Sequence, residues 1–325
     1  MNRMLIWTIV FFCAAAAGIF AEGQPHSQAR FSFPKSIRAG DVAEVVIWSP
    51  QALGPSEVVL ENAQGKVLDR AQTFAVPAQD LPSGFSLAHV EAALLTTDAL
   101  SPDQTADFVV FNAQKIEVER SPVQILHRSF PTEIVHLNPV MTKLREYPNR
   151  VEEHQAESIW KVYLTNEPGS IFQTGLYALP FSFQPRRSAL FGDSRTYVYS
   201  NGKSSTTYHR GYDFAVPRGT PVLASGGGRV VVAEFREMTG GTVVIEHLPG
   251  LYGDYFHMDR LDVHAGQMVR QGEKLGLSGA TGLVTGPHLH WEFRLHGYSV
   301  DGEQLLTQGI LDKERLAKLF STAER

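Results

Sequence analysis

Between about Ala189 and Asp301 the chain is written in short runs of β-branched and aromatic residues broken by glycines, a texture that confines the region to a β fold. Thr220-Pro221-Val222-Leu223-Ala224, Gly228-Arg229-Val230-Val231-Val232-Ala233, Thr242-Val243-Val244-Ile245-Glu246 and Gly253-Asp254-Tyr255-Phe256-His257 are each of strand length. Glycine pairs punctuate them as turns do. Gly226-Gly227-Gly228 reads as one such turn and not as a phosphate loop, because no Lys-Ser/Thr follows it and no helix opens there.

Five residues set into this β text carry chemistry: His209, Asp213, His257, His288 and His290. The alternation after Pro287 predicts a strand, in which His288 and His290 share a face about 7 Å apart along the chain. That spacing suits one metal ligand and one near neighbour of the same metal. Around His209-Arg210-Gly211-Tyr212-Asp213, Gly211 and Pro217 disfavour a helix. In an extended segment His209, Gly211 and Asp213 share one face, with Gly211 expected to leave room between two ligands. Arg210 and Tyr212 then point away and pack structurally. Two imidazoles and a carboxylate leave a fourth tetrahedral position for water, the arrangement of catalytic zinc. Calcium and magnesium prefer all-oxygen shells. Hydrolysis also needs groups that position or deprotonate the water, and His257 and His288 are available.

The order His209-x-x-x-Asp213, Tyr255-x-His257 and His288-x-His290 resembles the signature of lysostaphin/LytM-type metallopeptidases. Flanking text resembles it too: Arg210-Gly211-Tyr212-Asp213-Phe214-Ala215-Val216-Pro217, Gly219-Thr220-Pro221-Val222, and Thr281-Gly282 through Gly286-Pro287-His288-Leu289-His290-Trp291-Glu292. The resemblance covers roughly Phe191 to Asp301. It implies that His209, Asp213 and His290 bind Zn2+ and that His257 and His288 assist catalysis. It further implies a groove of antiparallel β-sheets and, as substrate, the cross-link or stem peptides of bacterial peptidoglycan. His127, His136, His154, His247, His264 and His296 are read as structural or surface residues.

The rest of the chain frames this region. At 325 residues two or three units are expected. A 43% hydrophobic and 19% charged composition excludes wholesale disorder, and a net charge of −5 supplies no basic face for nucleic acid. Residues 1–21, with Arg3 ahead of an apolar run to Phe20, read as a signal peptide and predict an exported protein of the periplasm, envelope or medium. If retained, the segment would be an N-terminal membrane anchor. Cys13, the only cysteine, lies within it, so the mature chain has no disulfide to form. Residues 28–132 alternate like a small β-sandwich, as in Ala43–Trp48 and Ala106–Phe111. Residues 133–188 read as a linker with one or two helices, followed by the metallopeptidase region 189–325, which closes on an amphipathic helix from Leu311 to Thr322.

Two other classes of function fit parts of the text. A non-catalytic LytM-like regulator of another wall hydrolase would typically lack a ligand, and here the set is complete. A biotin- or lipoyl-type carrier is suggested by Gly266 through Gly276, but Lys274 falls in strand-like text and not at a hairpin tip. The linker 138–166 and Asn201 are candidates for reaching the open metal position and holding an enzyme latent.

Overall fold

A computed structural model describes residues 29–323 apart from 52–53, 83–88 and 147–149; the segment read as a signal peptide and Cys13 lie outside the described residues. The N-terminal half is a sandwich of two sheets. One has the order Arg30–Ser32, Ala43–Ser49, His89–Leu95, Phe74–Ala75; the other Ser36–Arg38, Glu117–Leu126, Gln104–Phe111, Glu57–Asn62, Val67–Gln72. Between them lies a core containing Val45, Ile47, Leu60, Phe108, Val110 and Ile125. The opposite side chains of the same strands, Val46, Val90, Ala92 and Leu94, join a second core that also holds Trp291, Phe293 and Leu295 of the C-terminal half. The first sheet is therefore covered on both faces, which explains why Ala43–Trp48 reads as a nearly unbroken apolar run.

The C-terminal half is a ten-stranded sheet with the path Arg186–Ala189, Tyr212–Ala215, Leu289–Leu295, Leu251–Leu261, Gly240–Leu248, Gly228–Arg236, Met268–Val269. Pro221–Leu223 pairs with Lys274–Ser278, which in turn pairs with Leu251–Leu261, and Tyr298–Val300 flanks Leu289–Leu295. All of these pairings are antiparallel. Lys274 begins a strand and pairs with Asp262 at 2.9 Å, whereas a carrier needs its lysine at a hairpin tip.

Between the halves run helices α1 (Pro139–Glu146) and α2 (Arg150–Tyr163). A strand, Thr132–His136, precedes them and pairs in parallel with Ser194–Val198, which pairs with Ser204–Tyr208. Its sequence gave no periodic signal because Ile134 is 64% exposed and no face of it is apolar. The C-terminal helix begins later than expected. Leu311 is buried with φ 57°, outside the helical region, so the chain forms a short α3 (Gly302–Thr307), turns, and then forms α4 (Lys313–Ala323).

Candidate metal centre and active site

Strand register brings the residues together. Asp213 lies directly opposite His290, and Phe256 lies on the other side of His290. His209 precedes the Tyr212–Ala215 strand, held by its backbone N–H donating to Asp193 O at 2.8 Å. Its Nε2 is 2.9 Å from Asp213 Oδ1 and 3.0 Å from His290 Nδ1, and His290 Nδ1 is 2.9 Å from the same oxygen. All three residues are buried.

The outer nitrogens fix the tautomers. His209 Nδ1–H donates to Leu190 O at 2.9 Å, and His290 Nε2–H donates to Glu292 Oε2 at 3.2 Å. With those protons committed outward, two imidazole lone pairs and a carboxylate oxygen face one another. Three acceptors cannot satisfy each other; they call for a cation. The protein without metal answers with a proton: burial opposes charge on His290, but hydrogen bonds to Asp213 and Glu292 outweigh it and raise its pKa to about 9. Asp213 moves the other way. Burial would raise it, and the bonds from His209 and His290 hold it well below the usual carboxylate range. His209 is lowered, chiefly by burial. Donors bonded at about 2.1 Å to a tetrahedral centre stand about 3.4 Å apart, so the observed triangle is a slightly contracted version of a two-nitrogen, one-oxygen zinc site. The residues fit the metal.

His257 and His288 flank this triangle. Their rings are 4.8 Å apart, and His288 Nε2 is 3.7 Å from Asp213 Oδ1. His257 Nδ1 donates to Thr281 O at 2.9 Å and His288 Nδ1 to Gly286 O at 2.8 Å, so the backbone holds each ring by Nδ1 and not by Nε2. Burial, then the neighbouring His288 and His290, lower the His257 pKa to about 3. Its backbone is in the left-handed region at φ 65°, a conformation a side-chain-bearing residue holds only when its surroundings impose it. Here a bulge in the Leu251–Leu261 strand and the bond from His257 N–H to Thr239 O impose it. All five residues line one cavity of about 500 Å³, whose far wall includes Glu133, His136, Met141 and Tyr197.

Three expectations need correction. Gly211 does not make room between ligands: a Cβ there would stand 2.3 Å from Trp291 O and 2.9 Å from Glu292 Cβ, so glycine is required for the approach of the neighbouring strand. His288 precedes the Leu289–Leu295 strand and makes only an isolated bridge to Gly279, so it and His290 are not two residues of one regular strand. Asn201 donates to Glu146 Oε2 at 2.6 Å and does not line the cavity.

Several participants carried no sequence signal. Arg195 Nη2 donates to Asp213 Oδ2 at 3.1 Å, orienting the carboxylate from an exposed-looking hairpin far from any motif. Phe256 stacks on His290 with ring planes 6° apart. Glu292 fell within the quoted motif, yet its role becomes apparent only once its partners are in place.

Residues 207–302 match the model of peptidase family M23. The likeness to this family is carried by that segment, which holds the whole metal triangle. It is 36% identical over 137 residues to an uncharacterized metalloprotease of Buchnera aphidicola, covering 42% of this chain and 36% of that protein. It is 44% identical over 93 residues to the peptidoglycan DD-endopeptidase ShyB of Vibrio cholerae, covering 29% of this chain and 22% of that one. The matches thus span about a third or less of the length of these relatives. A crystal structure of a putative peptidase M23 from Pseudomonas aeruginosa shares the fold across 82% of this chain and 93% of its own, with TM-score 0.56 and 22% identity. The likeness of fold therefore extends beyond the M23 segment.

Proposed function

We propose that this protein is an exported zinc endopeptidase that hydrolyses peptide bonds of bacterial peptidoglycan in the cell envelope. The observation that carries the reading is the triangle of converging acceptors, His209 Nε2, Asp213 Oδ1 and His290 Nδ1, on the wall of a cavity shared with two further histidines. His209, Asp213 and His290 would hold the metal. Zinc, when bound, supplies Lewis acidity and makes water acidic enough to attack near neutral pH.

The remaining chemistry belongs to the chain. His257 and His288 each have the ring fixed by a backbone carbonyl on Nδ1, which leaves Nε2 for the reaction. One can accept the proton of the attacking water and return it to the leaving amine, the usual general acid–base cycle. The other can hydrogen-bond the scissile group and hold it in the groove. Arg195 holds Asp213 Oδ2, which leaves Oδ1 turned toward the two imidazoles. The peptidoglycan substrate is supported by the naming of relatives that match the same segment as DD-endopeptidases. A purely regulatory role gives no reason for His257 and His288 to stand beside a complete ligand set.

Zinc content and fragment release from purified peptidoglycan test the proposal. His290→Ala loses both metal and activity. His288→Ala keeps the metal and loses about a hundredfold or more in rate. Full activity in both variants would sink the reading.

A further inference from the structure

His290, Glu292 and Arg294 alternate with Trp291, Phe293 and Leu295 along one strand, so the first three share a face. The apolar three enter the large core. The polar three lie on the face covered by α2, where Tyr163, Tyr252 and Val244 form a small cluster with Ile159 and Val162 packed against it. Asp254 pairs in register with Glu292 on the adjacent strand. On that face a continuous polar chain runs from the helix to the ligand. Tyr163 Oη donates to Asp254 Oδ2 at 2.8 Å, and Arg294 Nε is 3.6 Å from the same oxygen. Arg294 Nη2 pairs with Glu292 Oε1 at 2.9 Å, and Glu292 Oε2 accepts from His290 Nε2. Ser299 Oγ donates to Glu292 Oε1 at 2.8 Å, completing the hold on that carboxylate. The Arg294 guanidinium lies 4.6 Å from the Tyr163 ring and 5.4 Å from that of Trp160, both on α2.

Tyr163, Asp254, Glu292 and Arg294 are all buried. Such a buried ionic chain is a poor source of stability, since well-packed apolar residues usually do as well or better. It ends on the proton-bearing nitrogen of a candidate metal ligand, where an outer carboxylate fixes the tautomer and raises ligand basicity. We propose that α2, which lies outside the M23 segment, is a working part of the metal site: Tyr163 is a positioning residue that sets His290 through Asp254, Arg294 and Glu292. The inference rests on the zinc reading above.

The test is zinc affinity of the full chain by chelator competition, with the visible spectrum of the Co2+ form and the melting temperature of the metal-free protein. Glu292→Gln weakens zinc by about ten- to a hundredfold. Tyr163→Phe, which keeps the ring over Arg294, weakens it by about threefold or more and shifts the Co2+ bands. In the Glu292→Gln background Tyr163→Phe adds little, because the two act through one path. Ile159→Ala is the packing control: it lowers the melting temperature and leaves affinity unchanged. Zinc affinity within twofold of wild type in Tyr163→Phe, or equal weakening by Ile159→Ala, overturns the role of α2. A wild-type chain that binds no zinc overturns the metal reading itself, a distinct result.

Discussion

The core of the N-terminal sandwich and the α2-covered face of the C-terminal sheet are both closed to solvent, yet they are filled differently. The first contains Val45, Ile47, Leu60, Phe108 and Ile125. The second buries Asp254, Glu292 and Arg294 beside His290. The charged groups that the sandwich does bury, Asp41, Glu44 and Asp69, all turn toward the other half: Asp41 shares Arg128 with Asp301, Glu44 pairs with Arg315, and Asp69 with His296. Apolar burial stabilises without direction, while buried charge requires every partner to be in place. The sandwich is therefore built to be stable and to dock, and the C-terminal sheet to hold particular atoms at particular distances.

The largest expected effect separates these roles. Phe108→Ala removes a fully buried ring from the sandwich core and costs about 3–5 kcal/mol of unfolding free energy in denaturant titration. Zinc affinity of the folded fraction stays at the wild-type value. A loss of affinity in step with stability would mean that the two halves are not distinct in function.

Next comes a pH effect confined to the C-terminal half. His247 is buried, bonds Gly227 O through Nδ1 at 2.8 Å, and has its pKa lowered by burial to about 4. In the unfolded chain it titrates near 6.5. The unfolded state thus binds more protons between these values, so this contribution is fully present above pH 6.5 and is lost as pH falls toward 4, about 3 kcal/mol in all. Asp254, pushed up by burial and then by the neighbouring Glu292 carboxylate, acts with the opposite sign, losing stability as pH rises. Comparing wild type with His247→Gln isolates the imidazole. The difference in unfolding free energy should shrink steadily on acidification, and a constant difference would show that His247 is not held neutral.

How much of this was legible follows the same division. The sandwich strands and the glycine-punctuated sheet could be read because alternation and turn chemistry are local. Four of the five candidate site residues stood out because their spacing is local in pairs, His209 with Asp213 and His288 with His290, while His257 was legible only through the family resemblance. Arg195, Asp254, Arg294 and Tyr163 could not be read that way, since each acquires meaning only from a partner brought close by folding: Arg195 reaches Asp213 across 18 positions and Tyr163 reaches Asp254 across 91. The strand at Thr132–His136 was silent for another reason. It carries no apolar face and exists through its ladder with Ser194–Val198.

A smaller effect probes the joint. Gln304 receives Val42 N–H at 2.7 Å and donates to Val42 O at 2.9 Å, replacing a strand partner for that residue. Gln304→Ala leaves both backbone groups without these bonds and costs about 1–3 kcal/mol. If the halves unfold as one unit, a single calorimetric transition moves down; a split into two transitions would show that the joint, and not the shared apolar core, couples them.

The smallest effect uses one carboxylate with two arginines. Arg38 Nε lies 3.1 Å from Asp41 Oδ2 with its side chain 58% exposed, whereas Arg128, 17% exposed, bridges Asp41 and Asp301 at 3.0 and 2.6 Å. Water screens the first pair, so Arg38→Ala should change unfolding free energy by about 1 kcal/mol or less. Raising the salt concentration should shrink even that. Asp41 keeps its charge partner in this variant, because Arg128 remains. A shift in the denaturation midpoint well beyond this range would mean that the exposed pair, and not the bridge to Asp301, fixes the edge on which the two halves meet.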